Sequence, residues 1–235
     1  GGGFAGLELA KKLMKSNYQV VLVDKNNFHQ FQPLFYQVAM AGLEPSSIVF
    51  PFRKLFRKVK NTYVRVAEVT EVNTEKKTIC TEHGEMQYDH LVIAMGADTN
   101  FFGNEQIMRH AIPMKSVSEA LYLRNEIFDD FEDSLTIRNY DKRQPYLDIV
   151  IVGGGLTGVE VAGALAEMKK YIVPKEYTEL DDTEIDIHLI QGADQLLKGM
   201  SKESSDAALK YLTKLGVKVQ LNTRVTDYDG EIVNM

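Results

Sequence analysis

Two glycine turns of identical spacing, about 150 residues apart, constrain this 235-residue chain more than any other feature. Gly1, Gly3 and Gly6 make the first G-x-G-x-x-G, and Gly153, Gly155 and Gly158 make the second. The spacing has a chemical reason. One glycine forms the tight turn, the next lets backbone N–H groups approach a pyrophosphate, and the third lets helix and strand pack closely. Phosphates then sit at a helix N-terminus, where free N–H groups and the helix dipole favour negative charge. A lone match is weak, since glycine-rich turns arise by chance. The second match is strong because the apolar run Leu147–Val152 precedes it and the helical pattern Val159–Lys169 follows. The first opens the chain with no strand before it, and the expectation is a fold truncated at both ends.

The rest of the pattern repeats one plan. After the first turn, Leu7–Lys15 reads as a helix and Tyr18–Val23 as a buried parallel strand ending on Asp24. Residues 25–60 read as loop and helix, Thr62–Tyr88 as a small antiparallel unit with turns near Asn73 and Gly84, and His90–Ala94 as a short strand stopped by Gly96. A long amphipathic helix capped by Ser116 or Ser118 runs to about Leu135, and the polar stretch Arg138–Pro145 reads as a connector. In the second half, Asp186–Ile190 is a strand, Ser201–Leu215 a helix ended by Gly216, and Val217–Leu221 a strand. Turn, helix and strand thus occur twice, which predicts an α/β chain of two Rossmann-like dinucleotide-binding domains. The first is expected over residues 1–110 and the second, inserted and incomplete, over 111–235.

The residue closing the second strand separates the two sites. Asp24 stands at the distance from the first turn where a carboxylate bonds the ribose hydroxyls of an adenosine. The second site has Gln191 there, after an insertion through Tyr171–Glu184. Glutamine can still bond ribose but does not repel a 2′-phosphate, so NADPH becomes a second donor beside NADH; the competing reading is a neutral replacement. Cys80 is the single cysteine, so no Cys-x-x-Cys centre or intrachain disulfide serves this chain. The five histidines lack ligand spacing, and no metal is expected. A net charge of −6 argues against a nucleic-acid partner, and no apolar run reaches membrane-spanning length.

Three segments bring a family into view. Phe28-His29-Gln30-Phe31-Gln32-Pro33-Leu34-Phe35-Tyr36-Gln37-Val38-Ala39 resembles the flavin-side segment of the type II NADH dehydrogenases, the non-pumping NADH:quinone oxidoreductases. Leu91 to Gly103 resembles that family's segment at the edge of its FAD domain, and Gly153 to Glu167 is similar to its NADH turn. The resemblance implies a flavoprotein in which hydride passes from NADH to FAD and electrons leave to a quinone. It also implies peripheral attachment to the cytoplasmic face of a bacterial membrane through a C-terminal region not in this sequence, and a homodimer. Residues expected at the FAD site are Gly1, Gly3, Phe4, Ala5, Gly6, Asp24, Lys25, Val69, Ala94, Met95 and Gly96. Gly153, Gly155, Thr157, Gly158 and Gln191 are expected at the NAD(P)H site. Glu160 matches the glutamate of the family's G-V-E and takes the catalytic role by resemblance; by pattern alone it is an exposed first-turn acid. Met95, where the family usually has Thr, and Gln191 are departures. Disulfide reductases and sulfide:quinone oxidoreductases share the two-turn layout but need cysteine pairs. A ferredoxin reductase or a non-catalytic dinucleotide-binding module are the alternatives.

Other features carry less. In the basic, aromatic stretch Pro51–Lys60, Phe52, Leu55, Phe56 and Val59 share a helical face, and a solvated basic face over a buried stripe outweighs a membrane-surface role. His29 reads as a structural hydrogen-bonder before a flavin or quinone contact, and Phe35 and Tyr36 as core.

Overall fold

The computed structural model describes residues 1–235. In chain order the first elements are α1 (Phe4–Leu13), β1 (Val20–Asp24), β2 (Phe28–Gln30), α2 (Phe35–Ala39), β3 (Val49–Pro51) and α3 (Phe52–Leu55). Then come β4 (Thr62–Val66), β5 (Val69–Asn73), β6 (Thr78–Thr81), β7 (Gly84–Gln87), α4 (Glu105–His110), α5 (Val117–Thr136) and α6 (Tyr140–Leu147). The chain closes with β8 (Asp148–Val152), α7 (Leu156–Tyr171), α8 (Val173–Glu176), β9 (Asp186–Ile190), α9 (Lys202–Lys214), β10 (Lys218–Gln220), β11 (Asp227–Tyr228) and β12 (Val233–Asn234). By packing it divides into two compact units, Gly1–Phe31 with Pro45–Asp98, and Gln32–Glu44 with Thr99–Met235.

In the first unit β1 pairs in parallel with β4, Val20 opposite Thr62. The apolar side of α1 closes one face: Leu7 and Ala10 pack with Leu22, Val64, Phe52 and Phe56 in one core, with Val59 against it. Phe52 is fully buried, so the basic stretch holds the core while its lysines and arginines stay in water. The shared helical face is not realised as expected, since α3 is a single turn and Leu55 is exposed. The antiparallel unit is β5–β6–β7 alone; Thr62–Val66 belongs to the parallel pair instead. Residues 25–60 also hold the short antiparallel pair β2–β3, which the loop-and-helix reading missed because three-residue strands show no period. His90–Ala94 forms no strand: it joins none of the sheets, and Val92 and Ile93 are exposed. An apolar run without a hydrogen-bonding neighbour stays irregular.

In the second unit β8, β9 and β10 form a parallel sheet in the order β10–β9–β8, Asp148 opposite Asp186 and His188 opposite Lys218. Ile187 and Leu189 of β9 and Val161, Ala162 and Leu165 of α7 are buried. The long helix α5 starts with a complete capping box: Ser116 Oγ accepts from Glu119 N–H at 3.2 Å, and Glu119 Oε2 accepts from Ser116 N–H at 2.8 Å. Arg138–Pro145 is not a plain connector, because Tyr140–Leu147 is helical, with Asn139 accepting from Lys142 N–H at 3.1 Å. Pro145 hid it: the proline is the sixth of the eight helical residues, past the first turn, where its missing N–H removes one i→i−4 hydrogen bond. α9 begins on Ser201 and ends before Gly216, whose φ of +88° makes the left-handed stop. No helix is long and apolar enough to cross a membrane.

Candidate functional site

The first glycine turn links the start of α1 to the end of β1. Gly1 N–H donates to Val23 C=O at 2.9 Å, Leu7 N–H to Gly3 C=O at 3.0 Å, and Gly2 N–H to Asp24 Oδ2 at 2.6 Å. Asp24 Oδ1 also accepts from Asn26 N–H at 2.7 Å. A Cβ on Gly6 would overlap the Gly1 carbonyl oxygen, so only glycine lets α1 pass this close to the turn. A Cβ on Gly1 would overlap the Ala94 carbonyl oxygen, which places the Ala94–Met95 backbone against the turn. Nothing lies within 4 Å of the position a Gly3 Cβ would take, leaving that side open.

The second turn repeats this geometry inside the second unit. Gly153 N–H donates to Ile190 C=O at 2.8 Å, Val159 N–H to Gly155 C=O at 3.0 Å, and Gly154 N–H to Gln191 Oε1 at 3.1 Å. A Cβ on Gly158 would overlap the Gly153 carbonyl oxygen, and the position outside Gly155 is open. Gly153 itself turns at φ +108°. Gln191 Nε2 donates to Gln195 C=O at 3.3 Å, so both ends of this amide are engaged within the loop. Asp24 and Gln191 thus take equivalent places, each accepting from the middle glycine of its turn.

The remaining expected residues fall as follows. Phe4 stands edge-on to His29 and Phe31, with centroids 5.3 and 5.6 Å away. Ala5 lies in the first turn of α1, and Lys25 is exposed just after Asp24. Met95 is 84% exposed and Gly96 turns at φ +76°. Val69 is exposed at the start of β5. Thr157 and Glu160 lie in the first turns of α7, both exposed; partial desolvation raises the Glu160 carboxyl above its ordinary pKa. A groove beside α1 is lined by Phe4, Leu7, His29, Phe31, Phe50 and Leu55; it shares Phe4 with the expected residues of the first turn but includes neither the turn glycines nor Asp24.

Three features were not legible as site elements. The middle glycines Gly2 and Gly154 occupy open positions of the motif, and His29 and Leu197 reach them only through the fold. The sheet register also gathers Asp148, Asp186 and His188, with ligand atoms within 4.8 Å of one another, although the histidines show no ligand spacing in sequence. Lys218 Nζ pairs with Asp186 at 2.5 Å and Gln144 Nε2 bonds Asp148 at 2.8 Å, so both carboxylates of this cluster already have partners.

Two turns of this build, each followed by a helix and answered by an acceptor at a strand end, define a protein with two dinucleotide-binding turns of the Rossmann type. The pattern of the pyridine nucleotide-disulphide oxidoreductase family matches residues 1–233, and the chain belongs to that family. Among relatives, the chain is 35% identical over 233 residues to the type II NADH:quinone oxidoreductase Ndh of Mycobacterium tuberculosis, covering 97% of this chain and 50% of that protein. It is 30% identical to the external alternative NAD(P)H-ubiquinone oxidoreductase B1 of Solanum tuberosum, covering 100% of this chain and 43% of that one. Among solved structures, NDH2 from Plasmodium falciparum in complex with NADH superposes with a TM-score of 0.91 at 28% identity, over 98% of this chain and 48% of that one. The chain spans about half the length of the curated relatives it matches.

Proposed function

We propose that this chain carries the two dinucleotide sites of a FAD-dependent type II NADH:quinone oxidoreductase. The observation that supports it most is the paired geometry: two turns in which only glycine fits at Gly6 and Gly158, each with a polar side chain, Asp24 or Gln191, on the middle glycine. FAD is assigned to residues 1–110 and the nicotinamide cofactor to 111–235; residues 32–44 pack with the second unit, so this division follows chain order. The names of the relatives point the same way.

A dinucleotide fits the first turn because the space a side chain would fill is kept clear at Gly3. Gly1, Gly3, Phe4, Ala5 and Gly6 would meet its pyrophosphate side, Asp24 and Lys25 its ribose, and Val69, Ala94, Met95 and Gly96 its remaining edge. When bound, the flavin supplies a hydride acceptor. Gly153, Gly155, Thr157 and Gly158 would hold the pyrophosphate of NADH, with Gln191 toward its ribose and NADPH accepted as a second donor. Glu160 would orient the reacting rings, and its raised pKa suits a carboxyl held partly out of water. The electron acceptor would be a quinone. The protein would work as a peripheral homodimer on the cytoplasmic face of a bacterial membrane.

The test is direct. The purified protein should be yellow, bleach on addition of NADH under anaerobic conditions, and recover its colour when a soluble quinone is added. Retained colour with no bleaching by NADH would mean that the second turn binds no reducing nucleotide, and the proposed function would be wrong.

A further inference from the structure

Gly2 occupies a position that the G-x-G-x-x-G spacing leaves open, yet three groups converge on it. Its N–H donates to Asp24 Oδ2 at 2.6 Å. Its carbonyl faces Nδ1 of His29 at 3.0 Å. The ring of Phe52 fills the space a Cβ would need. His29 is only 6% exposed, and its ring is braced edge-on by Phe4. A carbonyl oxygen can only accept, so Nδ1 must carry the proton and donate.

This bond sets the direction of one peptide group. The carbonyl of Gly2 and the N–H of Gly3 belong to the same planar trans peptide and point opposite ways. Holding the carbonyl toward His29 turns the Gly3 N–H away from it, and the surroundings of Gly3 are open. The second turn reaches the same restraint by different chemistry. Gly154 C=O accepts from Leu197 N–H at 2.7 Å, and Leu196 Cδ2 stands 2.5 Å from where a Gly154 Cβ would be. There a backbone amide does what an imidazole does in the first turn. A restraint built twice from unrelated groups is a requirement of the turn and not an accident of packing.

We propose that His29 is a positioning residue of the first dinucleotide site: as an Nδ1–H donor to the Gly2 carbonyl, it fixes the Gly2–Gly3 peptide so that the Gly3 N–H is presented to the pyrophosphate. The inference rests on the assignment of FAD to this turn. Its Nδ1–H is committed to the backbone in this role, which requires no contact of the imidazole with flavin or quinone.

The experiment compares His29→Leu with His29→Asn in the protein stripped of flavin, reading the FAD dissociation constant by quenching of flavin fluorescence. Leu and Asn branch alike, so the variants differ chiefly in whether a donor remains. Loss of a donor to a buried carbonyl should weaken FAD binding by about 5- to 100-fold in His29→Leu, while His29→Asn should stay within about threefold of wild type. NADH binding should be unchanged in both. FAD binding by His29→Leu equal to wild type, or by His29→Asn as weak as His29→Leu, overturns the inference. Should the Leu variant not fold, His29→Asn against His29→Asp carries the comparison, and equal affinities overturn it. Failure of the wild-type protein to take up FAD overturns both this inference and the function beneath it.

Discussion

Gln191 Oε1 accepts the Gly154 N–H at 3.1 Å while its Nε2 donates to Gln195 C=O at 3.3 Å, so one neutral amide ties the second glycine turn to the loop after β9. Gln191→Glu keeps the acceptor for Gly154 but sets a carboxylate oxygen against the Gln195 carbonyl. A negative charge there also opposes a 2′-phosphate. The ratio of kcat/KM for NADH over NADPH should rise roughly 5- to 100-fold, the effect of a like-charge clash of about 1–3 kcal/mol. Steady-state kinetics with both donors checks this; a wild type that already rejects NADPH as strongly as the variant would assign the choice to another residue.

Asp24 uses both carboxylate oxygens on backbone N–H groups, of Gly2 and of Asn26. Asp24→Ala leaves two donors without partners, at a cost of about 1–3 kcal/mol each when buried. The purified variant should lose most of its flavin, read as the absorbance ratio at 450 and 280 nm (both about), while Asp24→Asn, which retains one acceptor oxygen, should lose less. Equal flavin content in wild type and Asp24→Ala would remove Asp24 from the site.

Two glycines of α7 should respond oppositely to alanine. At Gly158 the new Cβ meets the Gly153 carbonyl, whose residue is tied to Ile190, and the turn must deform; NADH should no longer reduce the flavin, although flavin content stays near wild type. At Gly163 the nearest atom is Leu212 Cδ2 at 3.7 Å, an ordinary contact, and a mid-helix Gly→Ala change should stabilise by about 0.5–1 kcal/mol. Thermal melting and anaerobic flavin reduction on the two variants read both effects.

Much of this site was legible in the sequence, because a turn needing glycine at fixed offsets and an acceptor at a strand end is written locally. Ser116 with Glu119 and Gly216 were legible for the same reason. What was hidden depends on pairing at a distance. His29 is an ordinary histidine until β2 brings it beneath Gly2. Leu197 acts through its backbone, which no side-chain pattern marks. The run His90–Ala94 is as apolar as β8, but it has no strand partner in this chain, so its composition misled.

Asp130 on α5 is half-buried beside Glu126, Asp133 and Asp129, and desolvation with these like charges pushes its pKa up to about 6. The Tyr228 phenol of β11 lies within its field. Below pH 3.8 the carboxyl is protonated in folded and unfolded chains alike. From there to about pH 6 the unfolded chain releases its proton first, so this group's contribution to stability is lost as pH rises. Asp130→Asn should therefore raise the melting temperature near neutral pH, by the equivalent of about 1 kcal/mol after solvent screening, and give no gain near pH 3.5. An equal gain at both pH values would point to packing instead of charge.

The strand that carries His29 is held by a ladder of only three residue pairs, Phe28–Gln30 against Val49–Pro51, continued by Phe31 N–H to Ile48 C=O and Phe52 N–H to Asn27 C=O. So short a ladder opens on its own far more readily than the core beneath it. Each opening takes His29 from Gly2, and any molecule resting on that turn must oppose the opening by as much free energy as the closed ladder lends its grip. Occupancy of the turn and opening of this ladder are therefore one equilibrium seen from two ends. The amide protons of Phe31 and Phe52 become its clock, exchanging with solvent more slowly as the turn fills, well before any chemistry is asked of the protein.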